Sequence, residues 1–197
     1  IDTNKFIFNH ESRNILRKEL KIENKRVFIS IGRFDEAKDY PNLLNAFSIL
    51  YKKYKDIHLL IVGDGSLRVT IESMIINLNI EESVTLLGIR KDVEKFLSAS
   101  DIFVLSSAWE GFGLVVAEAM ACERIVIATN CGGVSEVLGD CGFLVKPKNS
   151  NELYKAMNKA YLIDRKESEI IGILGRRRII EKYSLKSVID KWEDIYK

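Results

Sequence analysis

The sequence predicts an α/β domain, a Rossmann-like, doubly wound parallel sheet of about six strands with helices at its C-terminal end. Three observations carry this. Short β-branched runs alternate with longer helical patterns, as in βαβ units. The runs are almost continuously apolar, as expected of strands covered on both faces. After Pro147 the strands cease and only helical spacing remains.

The opening residues 1–9 have no periodicity and read as a linker from a preceding domain, followed by a helical stretch from Glu11 to Leu20. The first strand runs from Arg26 to Gly32 (RVFISIG). Pro41 then fits the first turn of a helix from Asn42 to Lys53, whose Leu43, Leu44, Phe47 and Leu50 share one face. Further strands fit His58 to Gly63, Ser83 to Gly88, Asp101 to Leu105, Arg124 to Ala128 and Gly142 to Val145. The helices between them fit Leu67 to Asn79, Asp92 to Ser98, Leu114 to Cys122 and Val134 to Leu138. From residue 150 to 197 the pattern gives helices at Asn151 to Ile163, Lys166 to Lys182 and Ser184 to Tyr196. Ser184 is placed to cap the last, with an apolar stripe of Val188, Ile189, Trp192, Ile195 and Tyr196.

A chain of 197 residues with 47% hydrophobic content can bury one full-sized core, so residues 1–197 read as a single domain. A formal net charge of +2 gives no global attraction to nucleic acid. The first residues lack the basic start and apolar centre of a signal peptide, and no run is long enough for a membrane span. Cys122, Cys131 and Cys141 are odd in number and have no CxxC spacing, which argues against disulfides and zinc and for a reducing cytoplasm. His10 and His58 read as surface or packing residues, and Arg176 to Arg178 as a solvated helix face.

Ligands of open parallel sheets bind beyond the carboxyl ends of the strands, which directs attention to the loops there. Gly32-Arg33-Phe-Asp-Glu-Ala-Lys38 offers a guanidinium fork and an ammonium on one loop, a pairing suited to a diphosphate; the alternative is ion pairing with Asp35, Glu36 or Asp39. Gly63-Asp64-Gly65 is a weak GxG, and the full dinucleotide fingerprint is missing. Gly88-Ile89-Arg90 fits either a planar base or a tight turn.

The segment Glu110-Gly111-Phe112-Gly113-Leu114-Val115 precedes a helix that is apolar on every side except at Glu118 and therefore reads as buried nearly all round. The glycines put Glu110 on a loop, with the amides of Gly113, Leu114 and Val115 free at a helix N-terminus, where phosphate is favoured. On one helix, Glu110 and Glu118 would sit roughly 12 Å apart along the axis. Hydrolytic carboxylate pairs sit about 5–9.5 Å apart, so two separate contacts on one extended ligand fit better. Asn130-Cys-Gly132-Gly133 is a further glycine turn at a strand end.

In order and separation, GRFDEAKDY, IVGDGSLR, LLGIRKDV, DIFVLSSAWEGFGLVVAEAMAC and CGGVSEVLGDCGFLV resemble the donor-binding half of GT-B-fold retaining glycosyltransferases of family 4, the group 1 type, marked by a spaced glutamate pair. The resemblance implies one half of a GT-B fold, with the acceptor-binding N-terminal domain lying outside this chain. It implies a nucleotide-diphosphate sugar as donor, UDP- or GDP-linked, with neither cofactor nor metal, in keeping with the missing DxD triplet. By it, Arg33 and Lys38 stabilise the leaving diphosphate, Glu110 contacts the donor sugar, and Gly32 and the segment Gly111 to Val115 lie against the phosphates. Glu118 grips the ribose, and Gly88, Ile89 and Arg90 border the base. The catalytic set is then Glu110, Arg33 and Lys38. The acceptor is a glycan or a lipid-linked glycan, as in polysaccharide biosynthesis, which leaves room for peripheral contact with the inner face of the cell membrane. Two other readings share the architecture: a nucleotide-sugar 2-epimerase and a non-catalytic nucleotide-sugar-binding module. The sequence departs from the family at Glu123-Arg124-Ile125 and at Ser135, where the family often carries proline.

Overall fold

A computed structural model describes residues 1–189. Six strands form one sheet in the order β3-β2-β1-β4-β5-β6. They are β1 (Arg26–Ile31), β2 (Ile57–Val62), β3 (Val84–Leu86), β4 (Ile102–Leu105), β5 (Ile125–Thr129) and β6 (Phe143–Val145), and every neighbouring pair is parallel. The order reverses between β1 and β4, so the crevice at their carboxyl ends is the topological switch point.

Among the described residues the helices flanking the sheet include α1 (His10–Glu19), α2 (Tyr40–Lys53), α3 (Arg68–Asn77), α4 (Val93–Ala99), α5 (Leu114–Ala121), α6 (Val134–Leu138), α7 (Ser150–Leu162) and α8 (Arg165–Tyr183). Side chains along β1 alternate between two cores, Phe28 facing α2, α3 and α7 while Val27 and Ile29 face α4, α5 and α6. Both layers are apolar because both faces of the sheet are covered. Four of these helix starts, those of α1, α2, α7 and α8, are fixed by short polar side chains. Asn9, Asp39, Asn149 and Asp164 each accept a backbone N–H two or three residues inside the helix they cap.

The opening segment is anchored to the domain: Phe6 is buried, and the chain's amino group donates to Tyr183 O at 2.7 Å. Arg176 fastens that segment by donating to the carbonyls of Thr3, Phe6 and Ala121. Arg178 donates to the carbonyls of Val137 and Glu136. Of the three consecutive arginines predicted to be solvated, only Arg177 stays exposed, paired with Glu181. Long guanidinium side chains here seek helix-end carbonyls that lack partners.

The last predicted helix is described only in part. Residues 185–189 are helical, and Ser184 caps them by accepting from Ser187 N at 3.0 Å. Trp192, Ile195 and Tyr196 lie outside the described residues. No described helix is long and apolar enough to cross a membrane.

Candidate functional site

The switch-point crevice is built by the loops that follow β1 and β4. The first enters a 3-10 turn, Glu36–Lys38, whose start is fixed by Asp35 accepting from Lys38 N. The stem of Lys38 lies across Gly32, where an added Cβ would stand 2.9 Å from Lys38 Cε; a side chain there would displace the ammonium. The second loop is strapped to the first, with Ala108 N donating to Ala37 O and Ser106 Oγ to Lys38 O, both at 2.8 Å.

This strapping brings together two residues that are 72 apart in sequence. Lys38 Nζ lies 2.5 Å from Glu110 Oε1, which also accepts from Ser107 Oγ at 2.7 Å. The ammonium and carboxylate side chains are only 19% and 13% exposed, so solvent screens the pair weakly. Ser107 is itself fixed from behind, since its carbonyl accepts from Thr129 Oγ1 at 2.6 Å.

The glycine turn after β5, uncertain in sequence, braces the Glu110 loop. Gly133 N donates to Gly111 O at 2.7 Å. Gly132 has a φ of 53° and packs so closely that a Cβ would stand 1.9 Å from Glu110 O. The strand-end glycines of Gly63-Asp64-Gly65 serve packing in a similar way. A Cβ on Gly63 would meet Gly32 O at 1.9 Å, and one on Gly65 would meet Phe34 O at 2.6 Å.

Beyond Glu110 the chain enters α5 through Gly113, whose left-handed φ of 78° aims the first turn outward. Among the described residues, the amides of Gly113, Leu114 and Val115 have no carbonyl acceptor. They sit at the positive end of a helix dipole, in the geometry that suits an anion.

The sequence predicts a helix buried nearly all round, and the structure leaves one stripe of it more open than that. Leu114 is 59% exposed, and Val115 and Glu118 are half-buried on the same open stripe. The apolar composition of α5 reflects three packed sides, and the fourth opens onto the crevice edge. The Glu118 carboxylate makes no hydrogen bond to a described residue, while its backbone carbonyl accepts from Cys122 N. Burial raises its carboxyl above the ordinary value, Lys5 and the chain's amino group oppose that, and nearby Glu94 adds to it. Glu94 escaped notice in the sequence; its Oε2 is buried without a hydrogen bond and lies 4.0 Å from Lys5 Nζ.

The remaining expected residues stand at the rim. Arg33 is exposed and bridges to Asp35 at 3.2 Å. Ile89 is exposed at the turn after β3, and the Arg90 fork is held by both oxygens of Asp92, at 2.9 Å each, over the ring of Phe96. Gly88 turns with a left-handed φ and accepts from Gly63 N, which supports the tight-turn explanation for that loop. Phe112 meets the ring of Tyr183 edge-on at 5.6 Å. The structure thus joins Gly32, Lys38 and Glu110 in contact, while Arg33 pairs with Asp35, Arg90 with Asp92, and Glu118 lies nearest the charges of Lys5 and Glu94. Ser107 and Glu94 are the participants that sequence reasoning missed; Gly132 and Gly133 were singled out as a glycine turn but had no partner assigned.

Other groups lie elsewhere. The three cysteines are free, and burial pushes the Cys122 thiol up to about 12. Among the described residues, no cluster of three or more His, Cys, Asp or Glu could hold a metal. A cleft of about 420 Å³ at the opposite, amino edge of the sheet is lined by Arg13, Arg26 and Arg124. Those guanidinium groups donate to helix-end carbonyls, including Ser98, Ala160 and Cys122, and so complete the ends of α4, α7 and α5.

Comparison with known proteins agrees with this geometry. The family model "Glycosyl transferases group 1" matches residues 11–178. The N-acetyl-alpha-D-glucosaminyl L-malate synthase of Bacillus anthracis is 33% identical over 184 residues, which is 92% of this chain and 48% of that protein. The chain spans about half the length, or less, of the curated relatives it matches. Among solved structures, the C-terminal domain of the group 1 glycosyl transferase LpcC from Francisella tularensis superposes with a TM-score of 0.82 at 26% identity, covering 94% of this chain and 99% of that one. HepE of Anabaena, solved in complex with UDP and glucose, has the same fold, with a TM-score of 0.90 at 24% identity over 100% of this chain and 54% of its own.

Proposed function

The chain belongs to the group 1 glycosyl transferases, and from that premise we propose that it is the C-terminal, donor-binding domain of a retaining enzyme of the family 4 type. One observation supports this reading most: Lys38, Glu110 and the free amides at the start of α5 converge on the switch point of the sheet. A nucleoside-diphosphate sugar laid across them would place its phosphates at the amides of Gly113, Leu114 and Val115. Its base would border Gly88 to Arg90, its ribose would reach Glu118, and its sugar would meet Glu110.

The chemistry follows from charge. Breaking the sugar–phosphate bond leaves negative charge on the diphosphate, and cations and dipoles fixed beforehand lower the barrier where that charge grows. Lys38 is fixed by Gly32 and Glu110, and Arg33 can swing in from the rim. The reading assigns these groups the whole of that task and gives none to a metal. Glu110 has a second role, since it holds the Lys38 ammonium in place until a phosphate shares it. The acceptor, a glycan or lipid-linked glycan, would attack from the face that the nucleotide leaves, brought by the part of the protein outside this chain. The comparison with LpcC supports the C-terminal placement, and that with HepE supports a uridine nucleotide donor.

Titration of the chain with UDP, GDP and ADP by calorimetry tests the reading. At least one should bind, and Glu118→Ala should weaken it by about 1.5–3 kcal/mol for each charge-assisted hydrogen bond lost. Unchanged affinity in that variant would remove Glu118 from the site.

A further inference from the structure

A second hollow, of about 480 Å³, lies beside the crevice on the other side of the strapped loops. Its walls are Glu36 and Asp39 from the β1 loop, Asn42 and Asn45 from the first turns of α2, Trp109 from the β4 loop, and Lys148 just before α7. The walls are fixed. Asp39 caps α2, Ala108 N holds the backbone beside Trp109, and Lys148 turns into α7 with a left-handed φ of 56°.

Two features here have no use within the fold. Trp109 is 55% exposed, although the residues on both sides of it are held by hydrogen bonds. Asn42 is only 6% exposed, and its Nδ2 has no hydrogen-bond acceptor among the described residues. A buried donor without an acceptor is uncommon and costs about 1–3 kcal/mol.

The wall chemistry selects among ligands. Two carboxylates against one lysine disfavour a phosphate or other anion. Amides and carboxylates on most sides disfavour a purely apolar guest. What remains is a neutral molecule with one apolar face and many hydroxyls. We propose that this hollow is a saccharide subsite, in which Trp109 lies against the C–H face of a sugar ring while Asp39, Asn45 and Asn42 bond its hydroxyls. Its volume falls within the range of small-molecule sites, about 300–1,000 Å³. An indole supplies a large, rigid contact with little entropy to lose. Trp109 immediately precedes Glu110 on the β4 loop, so one loop carries both the indole of this hollow and the carboxylate assigned to the donor sugar.

The choice of a saccharide rests on the glycosyl-transfer reading, whereas the hollow and its exposed indole do not. The test titrates the chain with maltotetraose, chitotetraose and mannotetraose, following amide chemical shifts, with UDP titrated in parallel. At least one saccharide should bind and shift Trp109, Asn42 and Asn45. Trp109→Ala should weaken it by about tenfold or more, Trp109→Phe should retain most of the affinity, and UDP should be unaffected by either. Absence of saccharide binding would overturn the proposal, as would equal binding by Trp109→Ala or shifts confined to another surface. Saccharide binding with none of UDP, GDP and ADP binding would leave this subsite standing and overturn the donor reading; nucleotide binding without saccharide binding would do the opposite.

Discussion

Replacing Glu110 by Gln should tighten the grip on a nucleoside diphosphate, although Glu110 belongs to the proposed site. The reason lies in the pair it forms. Lys38 Nζ is 2.5 Å from Glu110 Oε1 in a spot where both side chains are mostly sheltered from water. A charge-assisted hydrogen bond of this kind contributes about 1.5–3 kcal/mol, and Lys38 must loosen it to serve a phosphate. Glutamine keeps the shape and still accepts from Ser107 Oγ, yet no longer holds the ammonium by charge. If half of the lower figure is recovered, affinity rises severalfold, and the full amount exceeds tenfold. Lys38→Met should act in the opposite direction and lose affinity by at least a similar factor. An intact nucleotide sugar should gain less than the bare diphosphate, because the variant also weakens the contact to the sugar. Calorimetry with the nucleoside diphosphate that binds is the assay. Weaker or unchanged binding by Glu110→Gln would refute the argument that the two residues compete and cooperate around one phosphate.

Two further outcomes concern stability. The Asp101 side chain is only 13% exposed and its desolvation pushes the carboxyl up, but Arg13 at 2.6 Å, Arg17 at 3.4 Å and the Val27 amide outweigh that and hold it below the ordinary carboxylate value. A depressed folded value means stability that is present above the unfolded value and lost as pH falls through the folded one. Asp101→Asn should cost about 3–5 kcal/mol in urea unfolding near neutral pH and should flatten the acid limb below pH 3.8. His58 runs the other way: burial first, then Lys25, lower its imidazole to about 4 from 6.5, while Nε2 bonds Thr85 Oγ1 at 2.8 Å. Between those values the unfolded chain binds the proton more readily, so stability falls as pH drops from 6.5 toward 4. The loss should reach about 2 kcal/mol by about pH 5, and His58→Gln, compared by the same unfolding assay, should remove that dependence.

The sheet was legible because its strands are short β-branched runs covered on both faces, separated by longer runs of helical spacing such as Leu43, Leu44, Phe47 and Leu50. The position of Glu110 on a loop was legible too, since Gly111 and Gly113 allow a turn that a helix would disfavour. Its partnership with Lys38 was not, because nothing local links residues 72 apart; only the pairing of β1 with β4 brings their loops together. The exposure of Glu118 was misjudged for a related reason. Composition reports how apolar a helix is, whereas the open edge of α5 depends on which neighbours the chain supplies. Arg176 and Arg178 resembled a solvated run, yet the carbonyls they satisfy come from residues 3, 6, 121, 136 and 137, which sequence spacing does not connect.

A crystal structure of the chain with its bound nucleoside diphosphate tests the central claim most directly. The account predicts the diphosphate oxygens within hydrogen-bond reach of the Gly113, Leu114 and Val115 amides and of Lys38 Nζ, with Glu118 on the ribose hydroxyls. A diphosphate seated instead at Gly63 to Gly65, or among the arginines at the amino edge of the sheet, would contradict it.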